Sequence, residues 1–206
     1  MIKVLKYAII NYNECDNNYI DEVCDYFEIE SQNITKYLEI NDIEEKANII
    51  IYNDIKEFKT NILKNNKYYK TIRDIPNYVV ADGGDDKNIS ILSFDKYIKA
   101  ENHQNRTIED YKKTLVHEFV HFCHHKLNAV NMIWINEGLA TNLSRQVIKY
   151  KNNNINIPLK SYSDYCLAFE YVMKNYNKKY ILGLLSNIEM QKIETPKLLE
   201  KMKKYK

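Results

Sequence analysis

Apolar and polar residues follow one another along the first half of the chain in a pattern that predicts short strands separated by helices. Residues 1–10 and 47–52 are short apolar runs bounded by polar residues, so each is expected to be a buried strand. Residues 17–40 carry apolar positions mostly at helical spacing and predict either one helix or two helices with a break near 30–32. A helix over 54–63 follows, which gives a β-α-β-α opening.

Two more strands are expected before residue 95. Residues 78–81 form an apolar run that stops at the turn-rich segment 82–86, where glycine supplies backbone conformations that other residues avoid. Residues 89–94 alternate well enough to be a strand with one polar face. A small sheet is therefore expected to be complete before any catalytic motif appears.

Helical spacing dominates the chain from residue 107 onward. Thr107 and Asp110 have the spacing of a capping box, with Asp in place of the usual Glu or Gln, so a helix is expected over 107–127. Further helices are expected over about 135–150, over 163–176 and from about 182 onward. The whole pattern predicts an α+β protein with a small mixed sheet in its N-terminal half and an all-helical C-terminal half.

Composition and charge exclude several classes of protein. The 206 residues are 45% hydrophobic and 28% charged, which is typical of a globular chain of one domain or two small subdomains. A net charge of +2 is too balanced to imply nucleic acid or an anionic membrane as the main partner. Four dispersed cysteines, an N-terminal apolar run interrupted by Lys6, and the lack of a membrane-length apolar stretch predict a cytoplasmic protein with reduced thiols.

The most informative segment is His117-Glu118-Phe119-Val120-His121 on the helix over 107–127. Because an α-helix turns about 100° per residue, His117 and His121 lie on one face and can direct both imidazoles at a single metal ion. Glu118 lies beside that face, where it can take a proton from a metal-activated water instead of binding the metal. His124 and His125 point away by helical phase and are interpreted as surface or packing residues.

Glu137 is the candidate for the third protein ligand. It lies sixteen residues beyond His121, and a helix-loop-helix of that length can fold it back onto the histidine pair. Two histidines and one glutamate leave a fourth zinc position for water, as a catalytic zinc site requires. The sequence therefore predicts one zinc ion held by His117, His121 and Glu137.

Together these residues resemble the gluzincins, the thermolysin-like and aminopeptidase-like zinc peptidases that pair H-E-x-x-H with a downstream helical Glu. The run 134–140 is similar to the W-x-x-E-G-x-A signature of the peptidase MA group, and the order of elements is similar over about 47–185. The resemblance implies a zincin-like, thermolysin-like catalytic domain. Its N-terminal α/β subdomain, 1–127, would carry the active-site helix, and its helical subdomain, 128–206, would carry the glutamate ligand.

The resemblance also implies roles for residues outside the metal site. Glu118 would act as general base, and a tyrosine from a later helix would stabilise the oxyanion; Tyr162 is favoured and Tyr165 is the alternative. The strand over 89–94 resembles the edge strand with which an extended peptide substrate pairs, and a plain sheet strand is the equal alternative, because alternation does not show which edge of a sheet is open. A peptide or protein substrate is therefore expected.

Departures from the family refine the expected activity. The aminopeptidase segment G-x-M-E-N and the calcium-loop pattern D-x-D-x-D-G are both missing from the sequence, so a minimal gluzincin acting as an endopeptidase is expected. One alternative is a non-catalytic module that keeps the fold to hold a peptide or partner protein, although such a module does not need Glu118. A peptidase dedicated to one protein partner has the same sequence features as a general one.

Overall fold

The computed structural model describes residues 1–66, 68–83, 87–127, 132–146 and 155–203, and the structural statements below concern these residues. They form two compact units, Met1–Phe122 and Cys123–Lys206. The boundary falls inside the helix that carries the histidine motif.

The first unit combines a small sheet with helices. Its strands are β1 (Ile2–Val4), β2 (Ala8–Asn11), β3 (Ala47–Tyr52), β4 (Ala81–Asp82) and β5 (Asn88–Leu92). Its helices are α1 (Ile20–Tyr37), α2 (Ile55–Asn65), α3 (Phe94–Tyr97) and α4 (Ile108–Lys126), the last of which continues into the second unit.

The strands lie in the order β1-β2-β3-β5-β4. β2, β3 and β5 are parallel, while β1 and β4 are antiparallel to their neighbours and form the two edges. The sheet is therefore mixed, as the sequence predicted. Of the two interpretations of 89–94, the plain sheet strand is confirmed and the edge strand is wrong, because β5 pairs with β3 on one side and with β4 on the other.

The two faces of the sheet differ in polarity because side chains alternate along each strand. One face is a fully buried apolar layer, to which three strands contribute Ile10, Ile49, Ile51, Ile89 and Ile91. On the other face, the side-chain amide of Asn11 donates to Asn48 (2.8 Å) and that of Asn48 donates to Asn88 (2.9 Å). These three residues, the asparagine ladder, connect the three parallel strands.

One difference from the expected elements lies near the N-terminus. Residues 1–10 contain two strands instead of one, because the chain turns at Lys6 and the amide of Leu5 donates to the carbonyl of Ala8 (2.9 Å). Of the two alternatives for residues 17–40, the single helix is confirmed, because α1 has no break near residues 30–32. Polar residues are tolerated inside this helix because hydroxyls such as that of Thr35 bond to the carbonyl one turn earlier, here Ser31 (2.9 Å).

A second difference concerns the expected strand over 78–81. Only Ala81 and Asp82 form strand β4, because Asn77 and Tyr78 lie in a turn closed by the bond from the amide of Val79 to the carbonyl of Pro76 (3.2 Å). The expected strand over 78–81 is therefore confirmed only at Ala81, and the observed strand continues to Asp82, the first residue of the expected turn.

The second unit is helical throughout its described part. After the end of α4, its helices are α5 (Ile133–Leu143), α6 (Tyr162–Asn175), α7 (Lys178–Ser186) and α8 (Ile188–Met202). The helix expected over 135–150 ends at Leu143, where Arg145 adopts a left-handed conformation (φ 55°) that α-helices do not continue through. Residues 147–150 of that expectation lie outside the described residues. Among the described helices, none has the length and apolar content to cross a membrane.

Candidate metal centre

Helix α4 begins at the capping box that the sequence predicted. The backbone amide of Thr107 donates to a carboxylate oxygen of Asp110 (2.9 Å), and the amide of Asp110 donates to the hydroxyl of Thr107 (3.4 Å). Burial raises the pKa of the Asp110 carboxyl, but the bonds that it accepts from the amide and the hydroxyl of Thr107, together with nearby Arg106, outweigh burial, so the net pKa lies below its usual range. The cap determines where the helix starts and hence which of its faces carries the histidine pair.

His117 and His121 lie one helical turn apart and are almost fully buried, at 6% and 8% exposed. Their Nε2 atoms are 3.0 Å apart, and their rings are nearly perpendicular. Two imidazole nitrogens that hold one ion at about 2.0–2.1 Å in tetrahedral geometry are roughly 3.3 Å apart. A slight separation of the two rings is thus enough to accommodate an ion between them.

The third member of the group is Glu137 on α5. One ligand atom each from His117, His121 and half-buried Glu137 lies within 4.8 Å of the other two, so this group could hold a metal ion. Two imidazoles and a carboxylate are a donor set that divalent transition metals accept. The three residues predicted as ligands are therefore brought together.

Gly138, the residue after Glu137, lies too close to a neighbouring helix to carry a side chain. A Cβ atom built at this position would lie 2.5 Å from the carbonyl oxygen of Tyr165 and 2.6 Å from the Cβ of Phe169. Both neighbours belong to α6, so α5 and α6 pack backbone to backbone at this point. The glycine in the signature around Glu137 thus has a packing role, which the sequence motif did not reveal.

Asn142 joins the same two helices one turn further along. Its side-chain amide donates to the carbonyl of Gly138 (2.8 Å) and to the carbonyl of Cys166 (3.0 Å). Thr141, between them, donates its hydroxyl to the backbone carbonyl of Glu137 (2.7 Å). Because a hydroxyl has only one proton to donate, that proton serves the helix backbone and not the Glu137 carboxylate.

Glu118, the predicted general base, lies beside Gly83, the residue that follows β4. A Cβ atom at Gly83 would be 3.1 Å from Oε2 of Glu118 and 3.3 Å from its backbone oxygen. The end of the edge strand therefore lies directly against the α4 residue next to His117. Sequence reasoning had treated Gly83 only as part of a turn, and no local signal connects it to Glu118.

The two tyrosines considered for the oxyanion lie at the start of α6. Tyr162 is the first residue of the helix and is 57% exposed, whereas Tyr165 is half-buried. Their ring centroids are 6.2 Å apart, and the Tyr165 backbone carbonyl is the atom that approaches Gly138. The choice between them stays a prediction.

His124 is a packing residue, one of the two interpretations that its helical phase suggested. It is buried, and its Nδ1 lies 2.9 Å from Oδ1 of Asn136 while its Nε2 lies 3.3 Å from the backbone oxygen of Leu185. It therefore connects the end of α4 to α5 and α7. The residue it contacts on α5 immediately precedes Glu137.

Two buried cysteines are poor candidates for metal ligands, because a ligand must be a thiolate. Burial raises the pKa of Cys123 well above its usual range. Burial likewise raises the pKa of Cys24 to about 11. Both are free thiols, and the histidine and glutamate group remains the candidate metal centre of the described residues.

The fold and the site together define a mixed α/β protein with a candidate metal centre of two histidines and one glutamate. Comparison with protein-family models, curated proteins and solved structures gave no significant match. The assignment of a function therefore rests on the residues of the chain itself.

Proposed function

We propose that the protein is a zinc-dependent endopeptidase with a zincin-like, thermolysin-like catalytic domain. The observation that carries the proposal is the convergence of His117, His121 and Glu137, with Glu118 adjacent to the first of them in sequence. A bare metal-binding group does not need a carboxylate at that position, whereas hydrolysis needs a base there.

Zinc is the metal that fits the donor set and the motif best. Two histidines and a glutamate are the protein ligands of many catalytic zinc sites, where the bound ion acts as a Lewis acid on water and on the substrate carbonyl. Two histidines and one carboxylate also hold non-haem Fe(II) in oxygenases. The pairing of both histidines on one helical turn, with Glu118 between them, favours the hydrolytic alternative.

Glu118 moves the proton in the proposed reaction. Its carboxylate accepts a proton from the attacking water and then delivers it to the nitrogen of the leaving amine. Tyr162, or alternatively Tyr165, would donate a hydrogen bond to the oxyanion that forms on the carbonyl oxygen.

The substrate would lie along β4. Because β5 is inside the sheet, the edge-strand role that the resemblance implies passes to β4, which is antiparallel to β5. An extended peptide adds to a sheet edge through main-chain hydrogen bonds. Gly83 at the end of β4 lies against Glu118, so a peptide on this edge would lead toward the proposed base.

Metal analysis tests the first half of the proposal. Wild-type protein and the variants His121→Ala, Glu137→Gln and His125→Ala are loaded with zinc, iron, manganese or cobalt, dialysed and analysed for bound metal. We expect one zinc per wild-type chain, loss in the first two variants, and retention in His125→Ala, the matched control on the same helix. Wild-type protein that retains no zinc would contradict the proposal.

Peptide-library digestion tests the second half, with the wild type compared with Glu118→Gln. We expect internal cleavage by the wild type and at least 100-fold less by the variant, since a positioned base contributes about 10²–10⁴-fold. Zinc binding without cleavage in either form would favour a non-catalytic binding module. Cleavage of very few sequences would instead indicate a peptidase dedicated to one protein partner.

A further inference from the structure

Gly83 lies so close to the proposed base that a side chain there would make an unusually tight contact with Glu118. A Cβ atom at this position would be 3.1 Å from Oε2, 3.3 Å from the backbone oxygen and 3.7 Å from the Cβ of Glu118. Both residues belong to the first compact unit, Met1–Phe122. The three atoms nearest to an added methyl group at this position would therefore all belong to Glu118.

The need for glycine here is steric and not conformational. None of the described glycines has a positive φ, so the backbone at Gly83 is one that alanine can adopt. The backbone oxygen of Glu118 belongs to α4 and is held by the helix. A methyl group at residue 83 would therefore have to displace either the Glu118 carboxylate or the end of the edge strand.

We infer that Gly83 is a positioning residue for Glu118: its missing side chain lets the end of β4 lie against α4 while the carboxylate keeps its place. The catalytic consequence rests on the proposed function, because a displaced carboxylate matters to rate only if Glu118 is the base. The steric relation between the two residues does not depend on that function.

The kinetic test compares Gly83→Ala with the wild type. We expect kcat to fall about tenfold, since displacement of a catalytic group by a few tenths of an ångström to 1 Å costs up to about 10²-fold. KM and the zinc content are expected to change less than twofold, because the flexible Glu118 carboxylate yields before the strand backbone does and no proposed metal ligand is altered.

Gly183→Ala is the matched control. Its Cβ would lie 3.1 Å from the Sδ of Met190, the same clearance but against a flexible side chain on α8. We expect this variant to keep wild-type kcat. An unchanged kcat in Gly83→Ala, or a loss of zinc in that variant, would overturn the positioning role.

A double-mutant cycle on Tm decides the steric relation without any activity. Gly83→Ala is expected to lower Tm less in a Glu118→Ala background than in the wild type, because the truncated side chain no longer meets the added methyl group. Equal losses in both backgrounds would contradict the inference. If the wild type proved to be inactive, the proposed function would fail while the cycle still tested the contact.

Discussion

A Cβ atom added at Gly83, Gly138 or Gly183 would meet different neighbours, and the closest contact would be at Gly138. Alanine there would bring its Cβ to 2.5 Å from the backbone oxygen of Tyr165, which cannot move without shifting α6. We expect Gly138→Ala to lower the free energy of unfolding by about 1–3 kcal/mol, the usual range for overpacking. Urea denaturation measures the loss.

Gly183→Ala provides the comparison for that prediction. Its new methyl group meets only the flexible side chain of Met190, and alanine favours helix formation over glycine by about 1 kcal/mol. We expect its stability to equal or exceed that of the wild type. A Gly138→Ala protein as stable as the Gly183→Ala protein would show that α5 and α6 can separate without cost.

At the scale of single residues, the sequence was most informative about the candidate metal ligands and least informative about their surroundings. His117 and His121 follow from helical geometry alone, and Glu137 from a distance along the chain that a helical hairpin can close. Gly83 could not have been found this way. Its proximity to Glu118 depends on where the end of β4 lies against α4, and no local pattern encodes that.

Helix α6 depends on the carboxylate of Asp164 at its N-terminus. Burial raises the pKa of this group, but bonds from Ser161, Lys160 and Asn156 outweigh it, so the net pKa is below the usual 3.8. A lowered pKa in the folded state means that the stabilisation is present above the unfolded pKa and is lost as the pH falls through the folded value. The α6 cap should therefore weaken under acid conditions.

Asp164→Asn tests that dependence. We expect the variant to lose about 0.5–2 kcal/mol at neutral pH, the usual value of a cap, and progressively less as the pH falls below the ordinary pKa of 3.8. Unfolding free energies from denaturant titrations across this pH range give the difference. Asp95→Asn, at an exposed position on α3, is the control, and a loss at Asp164 that did not change with pH would exclude the charged cap.

Helices and strands were predicted well where the local pattern of apolar residues determines their bounds, and less well where the pairing of strands determines their place in the sheet. The bounds of β3 match the predicted 47–52, and α4 begins after the predicted cap at Thr107. The position of β5 inside the sheet was left open between two alternatives, because alternation describes the two faces of a strand but not which strands flank it. The hairpin of β1 and β2 was missed because one run of apolar residues conceals the turn at Lys6.

For the molecule as a whole, the metal should act as a stabilising ligand. Zinc that binds the folded chain and not the unfolded one adds about 2.7 kcal/mol at a free concentration 100 times its Kd, or about 5–10 °C in Tm for a chain of this length. We expect this increase when zinc is added to metal-free wild-type protein, and its reversal by a chelator. Calorimetry provides the measurement.

The His121→Ala protein is the control for the thermal prediction, because it keeps the fold-determining residues but lacks one donor. An equal increase in Tm for this variant would mean that zinc binds elsewhere on the chain.

The mixed α/β composition of the molecule was predictable from the succession of patterns, as was its helical C-terminal half. Its division at Phe122 was not, because the boundary lies within a continuous helix.

The asparagine ladder has a consequence for how this chain can change over evolutionary time. Each amide of Asn11 and Asn48 donates to the next residue in the row, so the bonds run in one direction across β2, β3 and β5. An apolar residue at the central position would break both bonds at once, whereas joint replacement of all three would leave no member of the row without its partner in the row. Descendants of this sequence should therefore keep or exchange the three asparagines as a set, and the row should be visible as correlated substitution among them.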